Sequence, residues 1–193
     1  MNRIEASSDF YNMMTSCLIT EENINYMNNK KEKNDFNIKK LLGKDILTQS
    51  QSIKFGIIFE KVIKEILLYN NIEILNITHT SEVIKGSKQI DICFKHNDII
   101  YYFEIKMNLN VDSEKLKITD DKVNYIKSYI SNLYPTNEII CGILTVWYEK
   151  EKGMKIKPKT QIFYMKEIFD IIGLSNTEEQ YYNSLLEFGK SLN

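Results

Sequence analysis

Apolar residues at helical spacing run from Ser50 to Asn70, through SQSIKFGIIFEKVIKEILLYN. This spacing predicts an amphipathic helix with Ser50 or Ser52 as its N-cap. A second run of this kind, ITDDKVNYIKSYISNLY, predicts another helix, with Thr119 as its cap and Pro135 at its end. The apolar positions that set the first pattern are Ile53, Ile57, Ile63, Ile66 and Leu67.

Shorter apolar runs predict the strands. Gln89 to Lys95 and Ile99 to Met107 are expected to form two strands joined by a turn around His96 and Asn97. The runs NIEILNITHT and QIFYM predict further short strands, and EIICGILTVWY predicts a strand buried on both faces. Two helical runs, KEIFDIIGL and NTEEQYYNSLLEFGKSL, close the chain. This order predicts an α/β fold with a mixed central β-sheet of four or five strands flanked by helices.

The first 49 residues differ from the rest in composition. They are polar, rich in Asn and Lys, and predict loosely packed helices. We therefore expect an N-terminal helical segment over residues 1–49 and one domain over residues 50–193. A chain of 193 residues is long enough to bury a sizeable core in one such domain.

Composition narrows the class of protein. With 43% hydrophobic and 26% charged residues the chain is typical of soluble globular proteins. Its formal net charge of −1 creates no global positive field, so any contact with DNA must come from local basic patches. Three scattered cysteines without a CxxC motif favour free thiols and a reducing, cytoplasmic setting. The longest apolar run, IICGILTVWY, is about half of the roughly 20 residues that a membrane helix needs, so we expect no membrane association.

The two predicted central strands bring acidic residues together. If the second strand buries its odd-numbered positions, Glu104 and Lys106 share the other face. If the turn has two or four residues, Asp91 in the first strand is expected opposite Tyr102 and diagonal to Glu104, at about 7–8 Å. Two carboxylates and one ammonium group are then expected on one side of the sheet. Hard divalent cations such as Mg²⁺ prefer carboxylate oxygens of this kind, together with water and phosphate oxygens.

Asp91, twelve intervening residues and the tripeptide EIK resemble the PD-(D/E)XK nuclease superfamily, over roughly residues 50–165. The chain departs from the pattern at Ile90, where many members have Pro. The resemblance implies a restriction-endonuclease-like sheet, with Asp91, Glu104 and the Ile105 carbonyl as metal ligands. It further implies that Lys106 acts on the attacking water.

The first helix of that superfamily often carries a glutamate, and here it offers Glu60 as a further acid of the site. As a single Glu on a Lys-rich helix, Glu60 is otherwise a solvated residue.

The stretch MNLNVDSEK, Met107 to Lys115, resembles the segment that follows the lysine in some type II restriction endonucleases. The resemblance implies Mg²⁺ as cofactor with Mn²⁺ as a substitute, double-stranded DNA as substrate, and a homodimer. It leaves open whether a cognate DNA methyltransferase is a partner. Polar residues after the second strand and a basic segment are the expected DNA contacts, although a polar loop and a solvated surface explain them nearly as well. These residues are Asn108, Asn110, Lys115, Lys155, Lys157 and Lys159.

Two other functions fit the same residues. A structure-selective or recombination nuclease of the superfamily, such as a junction resolvase, has a similar size, although such enzymes are usually more basic. A non-catalytic DNA-binding or interaction module could also keep the fold. The presence of Asp91, Glu104 and Lys106 together favours an enzyme over such a module.

Overall fold

The structure, a computed structural model, describes residues 8–28, 41–44, 48–78, 90–107, 109, 113–150 and 158–192. Across these ranges the chain forms six helices and five strands. No described helix combines the length and the apolarity needed to cross a lipid bilayer. The helices are α1 (Ser8–Leu18), α2 (Glu21–Asn28), α3 (Gln49–Tyr69), α4 (Ser113–Leu133), α5 (Met165–Ile171) and α6 (Glu178–Ser191). The strands are β1 (Glu73–Ile74), β2 (Ile92–His96), β3 (Ile99–Lys106), β4 (Glu138–Thr145) and β5 (Ile162–Phe163).

The strands form one mixed sheet in the order β1-β2-β3-β4-β5. β1, β2 and β3 are antiparallel, whereas β4 is parallel to β3 and β5 is parallel to β4. The α/β class and the mixed sheet are therefore confirmed, with five strands. The close approach of β5 requires a glycine in β4, because a Cβ at Gly142 would lie 2.4 Å from the Phe163 ring.

The hairpin between β2 and β3 has a two-residue turn at Asn97 and Asp98, one position later than predicted. Both residues have positive φ, 49° and 61°, which Asn and Asp tolerate better than most residues. β2 begins at Ile92, so Asp91 lies in a bend just before the strand rather than within it. The predicted first residue of this strand, Gln89, lies outside the described residues.

Contacts along the chain divide it into two compact units. One unit combines Met1–Ile66 with Lys166–Asn193, and the other is Leu67–Met165. In the first unit, aromatic rings from distant parts of the sequence pack together. Phe10 meets Phe169 edge to face at 5.1 Å, and Phe55 stacks on Phe188 at 6.0 Å. Both chain ends therefore contribute to one core.

The start of α3 is fixed by a capping box at residues 48–51. The backbone N–H of Gln51 donates to the Thr48 hydroxyl at 3.1 Å, and the Thr48 N–H donates to the Gln51 side-chain oxygen at 3.0 Å. This reciprocal pair satisfies two N–H groups at the helix end. The N-cap is therefore Thr48, and the prediction of Ser50 or Ser52 was wrong.

The buried stripe of α3 also differs from the predicted one. Ile53 and Ile57 are exposed, whereas Ile63, Ile66 and Leu67 are buried as the pattern indicated. Two phenylalanines take the place of the exposed pair in the core. The other buried apolar residues of the helix are Phe55, Ile58, Phe59 and Val62.

Helix α4 covers one face of the sheet in the second unit. It begins at Ser113, six residues before the predicted cap, and the Thr119 hydroxyl donates to the Lys115 carbonyl within the helix. The prediction of Thr119 as N-cap was therefore wrong, although the helix does end before Pro135. Its buried residues pack with one face of β2, β3 and β4. This cluster includes Val123, Ile126, Ile130, Cys93, Ile100, Tyr102 and Ile143.

The other face of the sheet is aromatic and also buried. Phe94 stacks on Tyr101 at 4.9 Å, and Phe103 meets Phe163 edge to face at 4.8 Å. The predicted burial of Ile90, Ile92 and Phe94 is confirmed, but Cys93 is buried as well. Because both faces of the central strands are covered, β3 has no solvated polar face along most of its length. Its acidic residue, Glu104, is only 3% exposed.

Candidate active site

The observed register corrects the predicted position of Asp91. Cys93, and not Asp91, pairs with Tyr102. Continued two residues towards the N-terminus, the same register puts Asp91 level with Glu104 rather than diagonal to it. The Asp91 carboxylate also contacts the backbone of β3, where its Oδ2 accepts a hydrogen bond from the Ile105 N–H at 2.9 Å. Asp91 is thus held beside the end of the strand that carries Glu104 and Lys106.

The carboxylate of Glu104 is contacted by three hydrogen-bond donors. Its Oε1 lies 2.8 Å from the Lys106 ammonium. Its Oε2 lies 2.5 Å from the Lys122 ammonium and accepts a hydrogen bond from the Tyr102 hydroxyl at 3.2 Å. Two lysines and one phenol therefore surround a buried acid, which offsets the cost of taking its charge out of water.

The charges around Glu104 keep it ionised. Burial alone would raise the pKa of Glu104, but the ammonium groups of Lys106 and Lys122 lower it below its usual value. Burial and then the negative charges of Glu104 and Asp91 raise the pKa of Tyr102. Tyr102 therefore stays protonated and donates its hydrogen to Glu104. Because the negative charges of both carboxylates raise the pKa of this one phenol, Asp91 and Glu104 act on the same part of the site.

Lys122 is the residue that the sequence reasoning missed. It lies on α4, outside the Asp–Glu–Lys pattern, and its side chain is only 17% exposed. Thr119, three residues earlier, and Ile126, four residues later, are both buried. Those spacings put Lys122 beside the buried stripe of the helix. A lysine at such a position in the sequence was the one sign that its side chain contacts an acid in the sheet.

Glu60 lies on α3, in the other unit from Asp91 and Glu104. Its Oε1 is 2.5 Å from the ammonium group of Lys64, one helical turn away. Within the described ranges, no group of three or more His, Cys, Asp or Glu side chains is arranged to hold a metal ion. The expected ligand set consists of two carboxylates and the backbone carbonyl of Ile105. This set and the catalytic role of Glu60 stay predictions.

The predicted DNA contacts fall partly outside the described residues, namely Asn108, Asn110, Lys155 and Lys157. Lys115 belongs to the first turn of α4 and is exposed, as is Lys159. The DNA-binding role of both lysines stays a prediction.

Asp120 fixes the end of the basic segment to α4. Its two carboxylate oxygens accept hydrogen bonds from the backbone N–H groups of Lys159 and Thr160, each at 3.0 Å. Burial would raise the pKa of Asp120, but these backbone donors lower it below its usual value. Helix α4 thus carries both the lysine that contacts Glu104 and the acid that positions Lys159.

Comparison with known proteins gives no match to a family model and no match among curated proteins.

Proposed function

We propose that the protein is a Mg²⁺-dependent DNA endonuclease of the restriction type that hydrolyses phosphodiester bonds in duplex DNA. The observation that carries the proposal is the group at the end of β3. There the buried Glu104 carboxylate lies between the ammonium groups of Lys106 and Lys122, and Asp91 is bonded to the adjacent backbone. Acids and lysines in this arrangement suit a reaction in which charge builds up on a phosphate.

The residues present fit a divalent cation. Asp91, Glu104 and the Ile105 carbonyl offer the hard oxygen ligands that Mg²⁺ prefers. The ammonium of Lys122 at 2.5 Å from Glu104 Oε2 supports this assignment, because it marks a position where a cation is stabilised. A bound Mg²⁺ would supply positive charge to a phosphate oxygen and make a water molecule more acidic.

Lys106 is suited to act on the attacking water. Its side chain is 36% exposed, and its ammonium is 2.8 Å from Glu104 Oε1. An ammonium group has three hydrogens to donate, so one can bind the carboxylate while another orients a water or a phosphate oxygen. Glu104 fixes the position of the lysine, and Tyr102 in turn restricts the orientation of Glu104.

A homodimer follows from the proposed substrate. Each chain would carry one site, and cutting both strands of a two-fold DNA target requires two chains related by the same symmetry. The basic segment that ends at Lys159 is the proposed phosphate contact. The hydrogen bond from the Lys159 N–H to Asp120 supports a defined position for Lys159 itself.

One observation favours a second candidate, a non-catalytic module in which these residues only stabilise the fold. Both oxygens of Glu104 already have partners, so the group is complete without a ligand. A buried ion-pair cluster with this composition could serve structure alone.

Incubation with plasmid DNA and Mg²⁺ separates the candidates. We expect discrete fragments, no reaction in excess chelator, and restored cleavage with Mg²⁺ or Mn²⁺. Ca²⁺ should permit DNA binding without cleavage, because its larger and looser oxygen shell misplaces the water. Lys106→Ala should abolish cleavage, whereas Lys117→Ala, a change on the exposed side of α4, should not.

The other results identify the rivals. Cleavage restricted to branched DNA would support a junction resolvase. The absence of cleavage on linear, supercoiled and branched DNA would support the module. Full activity in excess chelator would exclude the proposed chemistry.

A further inference from the structure

Glu104 is contacted by two lysines of different origin. Lys106 comes from the same strand, two residues on, and is 36% exposed. Lys122 comes from α4, is 17% exposed, and approaches the other carboxylate oxygen at 2.5 Å. The predicted chemistry requires only one lysine, so the second needs its own explanation.

We propose that the Lys122 ammonium occupies the position at Glu104 Oε2 that a divalent cation takes, and that Lys122 and the cation bind there in competition. The inference rests on the proposed function for the identity of the cation. It assigns to Lys122 a regulatory role at the same site: it neutralises Glu104 when no metal is bound and leaves when metal binds.

Distances make joint occupancy unfavourable. Mg²⁺ binds carboxylate oxygens at about 2.0–2.1 Å and demands a nearly octahedral shell. An ammonium nitrogen 2.5 Å from the same oxygen would lie within or against that shell. The two cations would then be only a few ångströms apart, and their repulsion is weakly screened at a buried acid. Binding of the metal ion therefore disfavours the ammonium at this oxygen, and the reverse also holds.

The placement of Lys122 allows it to move. Its backbone is fixed within α4, next to Val123, which is packed against the sheet. Its four-carbon side chain is flexible, and part of it already reaches solvent. The ammonium can therefore leave Oε2 without any change in the fold. The Tyr102 hydroxyl, the other donor to that oxygen, is neutral and does not repel a metal ion.

Net charge gives the direction of the effect. Asp91 and Glu104 provide two negative groups, and Lys106 and Lys122 provide two positive ones. Replacing Lys122 with Gln leaves one uncompensated negative charge, which attracts a cation. A unit charge a few ångströms from a divalent ion is worth enough to change its affinity on the order of tenfold to a hundredfold.

The test measures metal binding without DNA and without catalysis. Free Mn²⁺ is followed by electron paramagnetic resonance during titration of the 193-residue protein, and Mg²⁺ is then used to displace bound Mn²⁺. We expect Lys122→Gln to bind Mn²⁺ at least about tenfold more tightly than the unmodified protein. Lys122→Arg keeps the positive charge and should keep the weaker affinity. Lys117→Gln, a matched loss of charge on the exposed side of α4, should change affinity little.

A double substitution locates the effect. In a Glu104→Gln background, Lys122→Gln should no longer tighten binding, because the shared oxygen ligand is lost. Equal tightening in that background, or by Lys117→Gln, would overturn the inference, as would unchanged or weaker binding in Lys122→Gln. Lys122→Met, with far-UV circular dichroism as a check of folding, repeats the measurement with a side chain of similar length.

The outcome is independent of the proposed nuclease activity. If Lys122→Gln binds Mn²⁺ more tightly but no variant cleaves DNA, the competition is supported and the proposed nuclease activity is rejected. If the unmodified protein cleaves DNA with Mg²⁺ but Lys122→Gln has unchanged metal affinity, the nuclease activity is supported and the competition is rejected.

Discussion

Two Glu–Lys pairs in this protein have the same nitrogen–oxygen distance and very different surroundings. Glu60 and Lys64 lie one turn apart on α3, 2.5 Å from each other, with side chains 31% and 24% exposed. Glu104 and Lys122 are also 2.5 Å apart, but they come from a strand and a helix, and Glu104 is nearly inaccessible to solvent. The first pair lies in the unit formed by both chain ends, and the second lies in the sheet unit.

The distance between two charged groups therefore does not by itself decide how much an ion pair stabilises the fold. The pair on α3 exchanges its contact for water at little cost, as half-exposed i, i+4 pairs generally do. The pair at Glu104 has no such alternative, since removing one partner leaves a charge without solvent. Chemistry with phosphates also needs charges in a place where water does not screen them.

The largest expected effect is on cleavage. Glu104→Gln keeps the size of the side chain but removes the charge that would bind the metal and hold Lys106 in place. We expect cleavage to fall by more than about a hundredfold, since even changes around a metal ligand typically cost 10- to 100-fold. Initial rates on plasmid DNA in Mg²⁺ provide the measurement. A rate near that of the unmodified protein would show that the assigned site is wrong.

The same substitution should reveal a pH-dependent contribution to stability. Two ammonium groups lower the pKa of Glu104 in the folded protein, so its stabilising contribution is fully present above the unfolded pKa of about 4.3. It is lost as the pH falls through the lower folded pKa. We expect Glu104→Gln to reduce the free energy of unfolding by about 3–5 kcal/mol at neutral pH, because both lysines lose their partner.

Urea unfolding at neutral pH and below about pH 4 checks this prediction. The difference between the variant and the unmodified protein should shrink at the lower pH. A difference that is equal at both pH values would mean that the charge of Glu104 does not stabilise the fold. If Glu104 were exposed to solvent, the substitution would leave stability almost unchanged at any pH.

The sequence predicted the sheet well because each strand carries its own local signal. Apolar runs bounded by polar turns identified β2, β3 and β4, and the burial of Ile90, Ile92 and Phe94 followed from their alternation. The apolar pattern does not determine which residues of β2 and β3 pair with each other. The turn proved to be Asn97–Asp98, and this aligned Asp91 with Glu104 instead of Tyr102.

Helix boundaries limited the prediction of the site. The apolar pattern of α4 was recognised, but its first three residues, Ser113 to Lys115, are exposed and polar and therefore gave no signal. Because Thr119 was taken as the N-cap, Lys122 was placed in the first turn of the helix. It was therefore not considered as a partner of Glu104. A contact between a helix and a strand depends on how the two pack, and one sequence specifies that packing only through the complete fold.

A smaller effect is expected at Asp120, whose partners are backbone N–H groups instead of lysines. Asp120→Ala leaves the N–H groups of Lys159 and Thr160 without their acceptor, which should cost about 1–3 kcal/mol. Asp120→Asn keeps one oxygen acceptor and should cost less. Thermal and urea unfolding compare the two variants. Equal losses would indicate that the charge of the carboxylate, rather than its ability to accept two hydrogen bonds, holds the segment.

The smallest expected effect on stability is at Glu60. Replacing it with Gln removes one half-exposed i, i+4 pair, so the free energy of unfolding should change by less than about 0.5 kcal/mol. The change should shrink further in high salt, because salt screens exposed pairs.

Cleavage is measured on the same variant. As the further acid of the site that the resemblance implies, Glu60 should be needed for full cleavage even though stability hardly depends on it. Unchanged cleavage together with unchanged stability would mean that the Glu60–Lys64 pair is an ordinary surface ion pair. A loss of several kcal/mol in the free energy of unfolding would mean that this pair stabilises the fold as strongly as the pair at Glu104.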